Sequence, residues 1–173
     1  MKKSFAVVTG IAVAGMLFSA CSSSSSSSEA SLAEKCANGV SEECLEGATW
    51  NMNGLYLQTE DGSYQLATHP FSSPSILVFN SSKKEGKTFS LTYSSDPSVE
   101  GVGGQEDSGK WAVENGTLTL QFDHFGSLHT DSTKVIPATI VNLDSAIALN
   151  LGGKILHTTI SELGIEIFTG VEK

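Results

Sequence analysis

The stretch that most constrains this chain is Gly109–Phe122, GKWAVENGTLTLQF. Asn115-Gly116 readily takes the positive φ angles of a type I′ turn, and apolar and polar residues alternate on both sides of it. Two antiparallel strands joined by a two-residue loop are therefore predicted. In that register Glu114 faces Thr117, Val113 faces Leu118 and Trp111 faces Leu120. Val113, Leu118, Trp111 and Leu120 then share one face, opposite Ala112 and Thr119. A slip of one residue would turn Leu118 and Leu120 into water, so the register is strongly specified.

Comparable runs recur along the chain. Residues 49–58, 75–80, 87–93, 134–141, 145–151, 155–160 and 164–171 are short, alternating or rich in β-branched side chains, and are separated by Gly, Asn, Asp or Ser. Phe89, Leu91 and Tyr93 share a face, as do Ile147, Leu149 and Leu151. With the hairpin these make about nine candidate strands and no long helix, a pattern that argues for an all-β antiparallel barrel or, alternatively, a β-sandwich. Pro137 inside one run marks a sheet edge or a bulge. Residues 96–108, with Gly101-Val-Gly-Gly104 and the adjacent carboxylates Glu106 and Asp107, read as a mobile, wet loop.

The early tryptophan of Gly47-Ala-Thr-Trp50, the meander of hairpins, and Gly109-Lys110-Trp111 before an NG turn resemble the lipocalin-like domains of bacterial lipoproteins. The first-strand element is one residue longer than that family's glycine-x-tryptophan, and the chain has no arginine to pack on the tryptophan. The resemblance covers most of residues 45–173. It implies a lipocalin-like β-barrel of about eight or nine strands, with Trp50 and Trp111 as possible ligand-binding residues. The residues themselves read first as large core side chains closing one end of a barrel.

The N-terminus has its own logic. Lys2 and Lys3 precede an apolar segment from Phe5 to Ala20, and Phe18-Ser19-Ala20 stands directly before Cys21 and a serine tract. This is the layout of a signal peptide, and it resembles the lipobox of bacterial lipoproteins, with Phe18 where the family usually has leucine. The resemblance implies cleavage before Cys21, a lipid on its sulfur, and, with Ser22 following, sorting to the outer membrane. Residues 1–20 are then a signal peptide and residues 21–31 a lipidated, Ser-rich, disordered tether spanning about 35 Å when extended. Two or more acyl chains make a stable membrane anchor.

Residues 32–44 form a neck. Ser31-Leu-Ala-Glu34 fits a capping box, so a turn or two of helix is predicted. With Cys21 set aside, an oxidising envelope compartment favours a disulfide between Cys36 and Cys44. The chain-entropy model assigns such a loop roughly 2.5 kcal/mol. Two thiols with no nearby histidine make only half a zinc site.

Charge excludes one class of partner. The chain carries 10 basic and 19 acidic groups, and loss of Lys2 and Lys3 leaves 8 against 19, a net charge of −11. With no arginine and no basic run, a nucleic-acid surface cannot be assembled. About 130 residues remain for one domain with one core.

Catalytic chemistry has little to stand on. Asp123, His124, His129 and Asp131 place two imidazoles and two carboxylates within nine residues, a ligand set suited to a divalent metal. A solvated turn between strands accounts for them without one. His69 and His157 have no visible partner. There is no G-x-S-x-G turn, and the glycine-rich loop lacks the strand–loop–helix context of a phosphate cradle. No cofactor is expected.

The expected function is a non-enzymatic, monomeric envelope lipoprotein, held to the membrane by its lipid, whose barrel binds a small apolar or amphipathic ligand or an envelope protein. The alternative is a structural or carbohydrate-binding surface module, in which Tyr56, Tyr64, Phe71 or Tyr93 would stack on sugar rings. A metal-dependent enzyme is the third reading.

Overall fold

The computed structural model of the chain describes residues 29–96, 105–124, 133–155 and 164–172. The segment 1–20, Cys21 and the serine tract to Ser28 lie outside the described residues, as do Gly101–Gly104, His129, Asp131, His157 and nearly all of the run 155–160. Two short helices, α1 (Leu32–Lys35) and α2 (Glu42–Leu45), precede eleven strands: β1 (Ala48–Met52), β2 (Leu55–Gln58), β3 (Tyr64–Leu66), β4 (Ser75–Ser82), β5 (Gly86–Thr92), β6 (Glu106–Glu114), β7 (Thr117–His124), β8 (Thr133–Pro137), β9 (Thr139–Leu143), β10 (Ala146–Asn150) and β11 (Ile165–Glu172). Every pairing is antiparallel.

The hairpin of β6 and β7 has the register its sequence specifies, Glu114 with Thr117, Val113 with Leu118 and Trp111 with Leu120. Asn115 and Gly116 both take positive φ, 49° and 75°, as a turn matched to strand twist requires. Leu118 and Leu120 are fully buried and Ala112 is exposed.

Two predicted runs are each divided in two, which is one reason eleven strands appear in place of nine. The run 49–58 breaks at Asn53-Gly54. Before the break it pairs with β11 as Asn51 with Thr169, after it as Leu55 with Glu166, so β1 and β2 follow one edge of β11 with a single-residue shift between them. The run 134–141 breaks at Ala138: β8 pairs with β7, and β9 pairs with β10. The third addition is β3, whose short Tyr-Gln-Leu carries too little alternation to read as a strand.

The strand order is β3-β2-β11-β1-β4-β5-β6-β7-β8, with β10 joining β11 to β9. Among the described residues no hydrogen-bonded ladder joins β8 to β9; these two strands are linked by the chain itself through Ala138.

Glu106 and Asp107 are corrected by the structure. They are not loop residues but the first two positions of β6, and Asp107 is only 1% exposed. The alternation that places Trp111 inside continues backwards through Gly109 to Asp107, so the strand starts earlier than its apolar residues suggest.

The neck belongs to the domain core. Leu32, Cys36, Val40, Cys44 and Leu45 are buried in the same cluster as the inward side chains of the strands. Ser31 caps α1 with both halves of the predicted capping box, and Ser41 caps α2. Cys36 and Cys44 form a disulfide, with sulfurs 2.12 Å apart.

Candidate functional site

Among the described residues, aromatic and aliphatic side chains form one buried cluster inside the sheet. Phe79 meets Trp111 edge to face at 5.2 Å, and Phe89 meets Phe122 in the same way at 5.0 Å. Trp50 is fully buried and donates its indole N–H to the Leu45 carbonyl at 2.9 Å. Trp111 is 4% exposed and donates to the Asn80 carbonyl at 3.0 Å. Both tryptophans, named by sequence as possible ligand contacts, are packed core residues with satisfied polar tips. Lys87 lies over the Trp111 ring, 5.6 Å from its centroid, and is paired with Glu42 of α2.

The end of the sheet away from the neck holds a polar group inside the core. Tyr93 donates its hydroxyl to Asp107 at 2.8 Å. Glu166, also fully buried, accepts the backbone N–H of Lys154 at 3.1 Å and that of Ile155 at 3.0 Å. Burial, then the hydrogen bond to Asp107, then the charges of Asp107 and Glu166 push the Tyr93 hydroxyl well above the ordinary tyrosine range. Among the described residues no buried side-chain polar atom lacks a hydrogen-bond partner. The cluster therefore ties strands and loops together. Sequence reasoning missed Asp107 and Glu166; the parity of Asp107 with Trp111, and of Glu166 with Phe168, was the available signal.

The metal candidates are not brought together among the described residues. Asp123 is exposed on β7, His124 is the last residue of that strand, and the side chain of His124 lies with His129 and Asp131 outside the described residues. Among the described residues no three of His, Cys, Asp and Glu converge as ligands. Of the aromatics considered for sugar stacking, Tyr56, Phe71 and Tyr93 are buried and Tyr64 is half-buried.

The concave feature with a chemical character of its own is at the neck end. A groove of about 980 Å³ runs between the segment from α1 to the start of α2 and the tip of the β6–β7 hairpin. Val40, Val113, Ile140 and Ile147 supply apolar walls, and Asn38, Asn115 and Asn142 supply amides. The disulfide and the two serine caps fix one wall. The type I′ turn fixes the other.

This arrangement can hold an elongated molecule with an apolar body and hydrogen-bonding groups, and it sits at the end where the N-terminal segment joins the domain. No protein-family model matches the chain, nor does any curated protein or solved structure.

Proposed function

We propose that the protein is a lipid-anchored, non-enzymatic envelope module that binds an amphipathic ligand or partner segment in the groove at its neck end. The anchor is Cys21, and residues 22–31 tether the domain near the membrane. The eleven-stranded sheet is read as a barrel of eight strands, since β1 with β2 and β8 with β9 each follow one course and β3 is a side addition. Trp50 and Trp111, buried with their N–H groups already bonded, support binding on the outside over carriage within.

The observation that carries this reading is the groove itself: apolar walls with an amide rim, next to the point at which the tether enters α1. Two measurements test the two halves. Mass spectrometry of the membrane-extracted protein is expected to find a lipidated N-terminal Cys21, and Cys21→Ala to release the protein from membranes; a soluble chain beginning at Met1 overturns the anchor. A dansyl-labelled long-chain alcohol is expected to brighten on binding and to lose that signal in Val113→Asp and Ile147→Asp. An unchanged signal in folded variants overturns the groove.

A further inference from the structure

The groove coincides with an interruption in the sheet. Successive residues of an antiparallel strand direct their N–H and C=O groups to alternate sides. In the β9–β10 hairpin, Leu143 and Ala146 flank the two-residue turn Asp144-Ser145, so Leu143, Val141 and Thr139 bond to β10. Ile140 and Asn142 must direct theirs the other way, towards β7.

The same parity holds on the far side of Ala138, whose N–H donates to the Gly116 carbonyl at 3.2 Å. Thr117, which flanks the β6–β7 turn, bonds to Glu114, so its partner Pro137 faces away from β7 and its missing N–H costs nothing. Residues 133–143 thus follow one continuous course. Their β7-side bonds end at Ala138 because the neighbouring hairpin turns back at Asn115-Gly116. Beyond that point β10 is the only described strand that pairs with β9, none lies on the β7-facing side of Ile140 and Asn142, and both residues line the groove.

We infer that this groove takes an extended, basic peptide segment of a partner protein, which adds to β9 as a further strand in the space the β6–β7 hairpin leaves open. This rests on the groove being the binding surface. This edge of five residues, unpaired among the described residues, is about 17 Å long and offers two N–H and two C=O groups, with Val113 and Ile140 to receive alternate side chains. The charge of the partner follows from the rim. Glu34, Glu42, Glu43, Glu114 and Asp144 are exposed within two residues of groove-lining positions. Against them stand Lys35, and Lys87, already paired with Glu42. An acidic rim around this strand edge selects against acidic segments and draws in lysine or arginine.

The test uses the full-length protein in phosphatidylcholine nanodiscs and a heptapeptide of alternating lysine and valine. Two counterparts are N-methylated on one or the other set of alternate amides, and a third replaces lysine by glutamate. The parent peptide is expected to slow amide hydrogen exchange at Ile140 and Asn142 at least tenfold. One N-methylated peptide should keep its affinity, while the other and the glutamate peptide lose at least tenfold. Asn142→Pro, which removes one of the edge donors, should weaken the parent peptide at least tenfold; the exchange rates in the unaltered protein decide the matter if that variant does not fold. Equal binding of both N-methylated peptides, or unchanged exchange at Ile140 and Asn142, overturns strand addition. If the dansyl-labelled alcohol still reports the groove while the peptide does not bind, the peptide inference fails alone; if neither binds, both readings fail.

Discussion

Trp50 and Gly170 face each other across the β1–β11 ladder, and a Cβ on Gly170 would stand 3.1 Å from the Trp50 ring and 2.5 Å from a methyl of Leu32. The missing side chain is the seat on which the ring and α1 meet. This contact holds the neck on the end of the sheet.

Gly170→Ala is expected to cost about 1–3 kcal/mol, the range for an added methyl in a packed core. Part of it should return in the double variant with Leu32→Ala, since the leucine methyl is the nearer obstacle and the two sites are coupled. Urea denaturation of the wild type, both single variants and the double variant measures this. Additive losses would show that Leu32 does not press on this position.

Gly109 is tighter still. A Cβ there would lie 1.9 Å from the Gln121 carbonyl oxygen, at the point where the β6–β7 register shifts between Ser108 and Gly109. Backbone on the facing strand cannot swing aside as a side chain can. Gly109→Ala should therefore destabilise by about 3 kcal/mol or more, the upper end for overpacking, whereas Ala112→Ser on the exposed face of the same strand should stay within about 0.5 kcal/mol.

The Tyr93 hydroxyl is held protonated by burial and by the carboxylate it serves. Its folded pKa is raised above the unfolded value of about 10, so its stabilising contribution is complete below pH ~10 and is lost as pH climbs further. In that range one proton retained by the folded state but not the unfolded one tilts stability by about 1.4 kcal/mol per pH unit. Tyr93→Phe should remove this part of the slope while costing about 1–3 kcal/mol at neutral pH, where Asp107 loses a donor. Urea unfolding at pH 8 and pH 11 separates the two effects. Equal slopes in wild type and variant would refute the assignment.

Replacing Cys36 and Cys44 together by serine should lower stability by about 2.5 kcal/mol on the chain-entropy model. Both cysteines are buried, at 3% and 0% exposure, so reductants should reach the bond only through opening of the neck. Thiol trapping in rising urea should then follow neck opening; fast trapping in native buffer would mean that the neck opens on its own.

Local pattern was enough for the strands whose neighbours in sequence are also their neighbours in space. The Asn115-Gly116 turn and the alternation around it dictate both the pairing and the buried face, because a two-residue hairpin needs no information from elsewhere in the chain. The capping box at Ser31 is local in the same sense. Glu166 lies at the other extreme. Sequence alternation presents two equally regular faces on β11, Ile165 and Ile167 against Glu166 and Phe168, and hydrophobicity favours the isoleucines for the interior. The structure puts Glu166 inside and buries Ile167 on the outer face with Tyr56 and Ala148, since the packing of β2, β9 and β10 around β11 decides which face is covered.

By itself the sequence determined the strand periods, the hairpin register and the neck cap, because each depends on residues a few positions apart. Only tertiary structure decided where the wall of strands is interrupted. That place is set by how far the β6–β7 hairpin reaches along a strand more than twenty residues further on, and no window of sequence contains both.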